Sequence, residues 1–261
     1  ASDVYKRQDY KYTNGNWWIG GNSGAGKSVT LQCLAGRMRE QGKRVVCVIP
    51  KKGHEFRPNC EQLGGLYLRL SPSSRDCPNI MAIRRRTLDA YAGIQELAAR
   101  DDSVLADKIS RLIIWYSLQK KNLTEEDKNY LDASLVECYD RYGITFDNAS
   151  VVDENGAFKE MPIIPDWYNV LLERAETKHL AVVLTRYVTG SAAAMGRRNH
   201  ISIDNKYIVL DTSGMPDDLI LPGIYWAIDV ANDIIMNAGG ELSALIADCL
   251  LYTSDAADDL I

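Results

Sequence analysis

Residues 21–28 read Gly-Asn-Ser-Gly-Ala-Gly-Lys-Ser and satisfy the pattern G-x-x-x-x-G-K-[ST] at every fixed position. Glycines in such a stretch let the backbone turn several N–H groups toward one anion. A lysine placed after them reaches the outer phosphates of a nucleoside triphosphate. The hydroxyl that follows completes the oxygen shell of a Mg²⁺ ion. The chemistry implied is binding of a nucleoside triphosphate with Mg²⁺. Its candidate residues are Gly21, Asn22, Ser23, Gly24, Ala25, Gly26, Lys27, Ser28 and Val29. Within that set Lys27 is also a candidate catalytic group, and Ser28 a candidate metal ligand. A Gly/Ser-rich turn matching by chance is the bland alternative, and the flanks weigh against it. The apolar run Trp17-Trp18-Ile19 is expected to form the strand entering the loop, and helical periodicity follows it.

Magnesium on phosphates also takes a carboxylate from the protein. Two apolar stretches end in one, Lys206-Tyr-Ile-Val-Leu-Asp211 and Leu242-Ser-Ala-Leu-Ile-Ala-Asp248. An aspartate closing an apolar run is more often a strand terminator than a metal ligand. Asp248 is preferred, in part on the resemblance described below, and Asp211 is the runner-up.

These residues need a scaffold, and the periodicities supply one. A helix is expected from Lys27 to Gln41, with Leu31, Leu34, Ala35 and Met38 on one face and Gly42 past its end. Arg44-Val-Val-Cys-Val-Ile-Pro50 is a short continuous apolar run, as in a strand buried on both sides of a parallel sheet. Leu66-Tyr-Leu-Arg-Leu70 alternates and predicts another strand. Strand, loop, helix and strand in that order make the βαβ unit of an α/β nucleotide-binding core.

From about Thr87 to Gly190 the period is helical. Leu105, Ile109, Leu112, Ile113 and Tyr116 form one stripe. Thr124 to Asp127 resembles a capping box ahead of Leu131, Leu135, Cys138 and Tyr142, with Gly143 as the stop. Residues 153–156 make a turn, Asp166 is expected to cap a helix, and another starts near Thr177 with Leu180, Val183, Leu184 and Tyr187. A helix from Asp217 to Asn237 is broken by Gly239-Gly240. The division expected is core at 9–86 and 201–248, with an all-helical insertion at 87–200.

The 261 residues suit one large domain or two small ones, and 46% hydrophobic with 25% charged residues is ordinary globular composition. No run of about 18 apolar residues is present, which argues against a membrane span. The formal net charge of −5 offers no electrostatic footprint for nucleic acid. Six scattered cysteines (33, 47, 60, 77, 138, 249) without a C-x-x-C pair indicate reduced thiols and a cytosolic setting. The histidines at 54, 179 and 200 are too dispersed for a zinc site. Residues 1–8 and 249–261 resemble translated sequencing-adapter read-through. The natural protein is expected to continue beyond both ends.

Several ordered blocks over residues 16 to 248 resemble one family, the conjugative-transfer, type IV secretion ATPases of the TraC-like and TraE-like kind. After the phosphate loop these are Ile49-Pro-Lys-Lys-Gly-His-Glu-Phe56, Gly64-Gly65 with Leu68-Arg-Leu-Ser71, and Pro78-Asn-Ile-Met81. Next come Glu176-Thr-Lys-His-Leu180, Arg186-Tyr-Val-Thr-Gly190, Asn205 to Asp211, and Ala244 to Asp248. The resemblance implies a RecA-like P-loop motor core that hydrolyses ATP, forms a hexamer, and works at the cytoplasmic, inner face of the bacterial cell membrane. Its partners there would be the components of a membrane-spanning type IV secretion channel. It also implies Asp248 as the aspartate of the Walker B strand. The family follows that aspartate with a glutamate that polarises water, whereas this chain has Cys249, so the full-length parent is expected to be an ATPase and this chain to hydrolyse ATP poorly, if at all.

Three weaker candidates complete the reading. Glu55 would assist water positioning or ion pairing near the γ-phosphate, against the simpler reading of a surface-loop glutamate. Arg186 would act on a neighbour's nucleotide, against the simpler reading of a surface ion pair. Arg84-Arg-Arg86 reads more simply as a solvated junction than as a nucleic-acid contact. Two alternatives in function remain from the sequence. One is a DNA-pumping or coupling-protein ATPase on the same core, with direct contact to DNA left open. The other is a nucleotide-binding interaction module that does not hydrolyse ATP.

Overall fold

A computed structural model describes residues 17–20, 22, 24–84, 103–198, 201–237 and 241–248. Its centre is a parallel sheet of four strands, β1 (Arg44–Ile49), β2 (Leu66–Arg69), β3 (Tyr207–Asp211) and β4 (Ser243–Ala247), in the order β2-β3-β1-β4. The register aligns Val45 with Tyr207 and Ala244, and Ile49 with Asp211. Strand alternation sorts the side chains cleanly. Val45, Cys47, Ile49, Tyr207, Val209 and Ile246 share one core, while Val46, Val48, Leu68, Ile208 and Leu210 share the other.

Helices cover both faces, which is why β1 and β3 read as unbroken apolar runs. On the first face lie α1 (Lys27–Glu40) and α2 (Arg57–Gln62). Ala35 is buried there, with Leu31 and Met38 packed beside it, and Gly42 takes the left-handed conformation (φ 80°) beyond the helix. The second face carries α3 (Val104–Ser117), α4 (Glu125–Asp140), α5 (Ile164–Glu173), α6 (Lys178–Val188), α7 (Ala193–Gly196) and α8 (Ile220–Met236). Their side chains form one continuous core with the sheet. Leu105, Ile109, Leu112 and Tyr116 face inward, as their spacing requires. Trp115 packs against Tyr187 at a tilt of 53° and meets Trp226 edge-on, at centroid distances of 5.2 and 5.7 Å. Such pairs add about 0.5–1.5 kcal/mol each beyond their buried area.

Two expectations are corrected. Trp17-Trp18-Ile19 forms no strand. Within the described residues β4 is hydrogen-bonded only to β1, so the run has no sheet partner, and Trp17 and Trp18 are 49% and 87% exposed. Asp166 does not occupy the cap position of α5. It stands in the first turn and accepts the Ile163 N–H at 2.8 Å, closing the helix from the inside. Asp217–Met236 has the length and the mean hydropathy (1.4) of a crossing segment, but 61% of it is buried inside the protein, against β1, β4 and α3.

α8 carries two aspartates into that core. Lys108 of α3, with no exposed surface, donates to the Asp229 carboxylate at 2.7 Å and to the Ile80 carbonyl at 3.1 Å. It also lies 3.5 Å from Asp233. Arg111 reaches Asp229 at 2.5 Å and Asp233 at 2.8 Å. Burial works against charge at Asp233, but Lys108 and Arg111 outweigh it and hold the carboxyl below the usual range.

The capping box of α4 yields a pH prediction. Asp127 accepts the Thr124 N–H at 3.1 Å, Thr124 Oγ1 accepts the Asp127 N–H, and His179 Nε2 lies 2.6 Å from the Asp127 carboxylate. The His179 contact first, then the Thr124 backbone, lower the Asp127 pKa. A lowered folded pKa gives stability that is present above the unfolded value, near ~3.9, and is lost as pH falls through the folded value. Asp127→Asn is expected to reduce the urea midpoint at about pH 6, with a gap from the wild type that narrows below about pH 4. An undiminished gap at about pH 3 would contradict this.

Candidate nucleotide-binding site

Within the phosphate loop the described residues are Asn22 and Gly24 onward; Gly21 and Ser23 lie outside them, as do Arg85, Arg86 and Cys249. Gly24 and Gly26 both adopt positive φ, 82° and 81°, and a Cβ on either would meet nothing within 4 Å. The constraint is therefore conformational rather than steric. Left-handed φ is what turns successive N–H groups to one side. Ala25 N–H closes a turn onto the Asn22 carbonyl at 3.2 Å.

α1 begins at Lys27 with no side-chain cap and no acidic residue in its first turn, while Arg37 and Arg39 sit in its last. Both choices leave the positive end of the helix dipole open to an anion. Lys27 Nζ donates to the Asn22 carbonyl at 2.9 Å, folding the lysine back over the loop. Val29 is 63% exposed at the outer side of the helix start.

The sheet places Asp248 opposite this helix. β4 runs parallel to β1, and its last pair is Val48 with Ala247. The Asp248 N–H then donates to the Val48 carbonyl at 3.2 Å, so the aspartate leaves the sheet at a fixed height. Ser28 Oγ donates to Asp248 Oδ2 at 3.0 Å, joining residues 220 positions apart. A hydroxyl and a carboxylate on one spot, beside a lysine and a glycine loop, are hard oxygen donors of the kind Mg²⁺ takes when phosphates fill the rest of its shell. The donor set fits Mg²⁺ with ATP.

Asp211 is placed differently. It ends β3, which β1 separates from β4, a lateral offset of about 10 Å for two inter-strand steps. Its carboxylate is buried, accepts the Ser213 N–H at 2.8 Å, and accepts the Tyr67 hydroxyl. Burial and the Asp211 charge push the Tyr67 phenol up, which keeps it a proton donor. Gly53 closes over the same carboxylate, where a Cβ would fall 2.0 Å from Asp211 Oδ1. Sequence reading missed Tyr67 and Gly53. The available signals were the alternation of Leu66–Leu70 and the Lys52-Gly53 pair, at which the chain turns with Lys52 at φ 57°.

Glu55 lies in a 3-10 turn, Gly53–Glu55, just past β1, and is 3.8 Å from Lys52 Nζ. Arg186, in the last turn of α6, donates to Asp218 at 2.7 Å and lowers its pKa. Both residues thus stand in ion pairs within the chain. Arg84 donates to the Asn79 carbonyl at 2.6 Å.

No family model and no curated protein matches the chain. A solved structure does. The chain is similar to VirB4. The match to VirB4 of Thermoanaerobacter pseudethanolicus has a TM-score of 0.67 at 25% identity, and covers 85% of this chain and 80% of the other. The parallel sheet and the likeness to VirB4 together give the α/β, RecA-like core expected from the sequence.

Proposed function

We propose that this chain is the ATP- and Mg²⁺-binding core of a type IV secretion ATPase. The contact between Ser28 and Asp248 carries this reading, because it brings the phosphate-loop hydroxyl and the strand-end carboxylate to one point. The likeness to VirB4 supports the secretion setting. Bound ATP with Mg²⁺ supplies a phosphoryl group that can pass to water. The chain's part is to hold it. Gly24 and Gly26 turn backbone N–H groups toward the phosphates, and Lys27 swings from the Asn22 carbonyl to the outer ones. Ser28 and Asp248 orient the ion. Cys249 follows Asp248, and a neutral thiol does not orient and deprotonate water as a carboxylate does, so binding is expected to exceed turnover.

In the same reading residues 9–86 and 201–248 form the motor core and 87–200 its helical insertion. The motor works as a hexamer on channel components at the inner face of the bacterial membrane and energises conjugative transfer. The experiment compares two aspartates. Asp248→Asn is expected to remove the gain in ATP affinity that Mg²⁺ gives, whereas Asp211→Asn keeps it. Equal Mg²⁺ dependence in wild type and Asp248→Asn, measured by calorimetry, would sink the assignment.

A further inference from the structure

At the far edge of the sheet from β4, the carboxyl end of β2 opens on a cavity of about 390 Å³. Arg57, Arg69 and Arg75 line it together with Tyr67, Ser71 and Asp76. Tyr67 and Arg69 stand two residues apart on β2, so alternation puts both on one face. Arg57 lies over the Tyr67 ring, 5.6 Å from its centroid, and its Nε is bonded to Glu61 at 2.7 Å. Arg69 is seated by the loop after β3. A Cβ on Gly214 would come within 2.9 Å of both its Nε and Nη2. Among the described residues neither Arg69 nor Arg75 has a carboxylate within ion-pair distance.

Three guanidinium groups line one cavity in a chain of net charge −5; Glu61 pairs Arg57, which leaves Arg69 and Arg75 facing a single lining carboxylate, Asp76. Like charges gathered this way repel unless an anion lies among them. Guanidinium forks match phosphate oxygens in pairs. We propose that this cavity is a second anion site, which takes the phosphate group of a small phosphorylated ligand. Its volume falls in the range of small-molecule pockets, roughly 300–1,000 Å³. An extended basic track with stacking aromatics, which a nucleic-acid strand needs, is not what the cavity offers, since the Tyr67 face is covered by Arg57. β2 and β4 are three inter-strand steps apart, about 14 Å across the sheet, and the site stands independently of the phosphate-loop reading.

The test is calorimetry of the full chain with inorganic pyrophosphate, in a Lys27→Ala background that disables the phosphate loop. One binding site is expected, with affinity falling at least about tenfold for each of Arg69→Gln and Arg75→Gln. Both arginines are exposed, so these variants keep the fold. Gly214→Ala, which displaces the Arg69 guanidinium without removing charge, is expected to weaken binding as Arg69→Gln does. No pyrophosphate binding, or unchanged affinity in the double arginine variant, would overturn the proposal. Arginine-dependent binding of a single-stranded oligonucleotide without binding of pyrophosphate would overturn it in favour of a nucleic-acid surface.

Discussion

Lys27→Ala is expected to abolish measurable ATP binding, a loss of about 100-fold or more in affinity. The lysine serves a ligand rather than the fold. It is half-buried at the first position of α1, and its Nζ reaches back to the Asn22 carbonyl of the loop at 2.9 Å. Its removal should change unfolding stability by no more than about 0.5 kcal/mol. Toward phosphate the balance differs. Charge-assisted hydrogen bonds contribute about 1.5–3 kcal/mol each, and 1.4 kcal/mol is a factor of ten, so two such bonds account for the expected loss. Calorimetry with ATP and a thermal melt, taken on the same protein, separate the two effects. A variant that melts like the wild type and binds ATP with unchanged affinity would remove Lys27 from the site.

Asp233→Ala is expected to be the most damaging single change away from the loop. It leaves Lys108 fully buried and Arg111 largely so, with Asp229 as their one remaining carboxylate partner in the cluster. Removing one member of a buried ion cluster typically costs about 3–5 kcal/mol, and here it leaves two buried cations sharing the single carboxylate of Asp229. For a chain of this size that corresponds to a fall in melting temperature on the order of 10 °C. The double variant Lys108→Met with Asp233→Leu leaves Arg111 paired with Asp229 and should recover most of the loss. Apolar side chains of similar volume replace a buried pair at little net cost. A thermal melt in which Asp233→Ala matches the wild type would show that the cluster contributes nothing.

What the sequence revealed and what it hid follow from the range of each interaction. The α4 capping box is legible because Thr124 and Asp127 are three residues apart and satisfy each other's backbone. The α3 stripe is legible because burial of Leu105, Ile109, Leu112 and Tyr116 repeats with the helix. Trp17-Trp18-Ile19 misleads because strand formation needs a neighbouring edge, which no local pattern reports. Nothing local marks Lys108, Asp229 and Asp233 as buried. Only packing α3 on α8 cancels them in the core.

The phosphate loop is local and its pattern stands in eight consecutive residues. The choice between Asp211 and Asp248 is not local. Both end apolar strands, and the order β3-β1-β4 sets one against Ser28 and the other against Tyr67. The arginine cavity was invisible for the same reason. Arg57, Arg69 and Arg75 come from a helix, a strand edge and a loop, and meet only after the chain has folded.

The central claim is that this chain holds ATP with Mg²⁺ between the Lys27–Ser28 loop and Asp248. Titrating the wild-type chain with ATP, with and without Mg²⁺, tests it most directly. The account predicts binding at this loop, abolished by Lys27→Ala and strengthened by Mg²⁺. Absence of ATP binding, or binding that Mg²⁺ leaves unchanged, would contradict it.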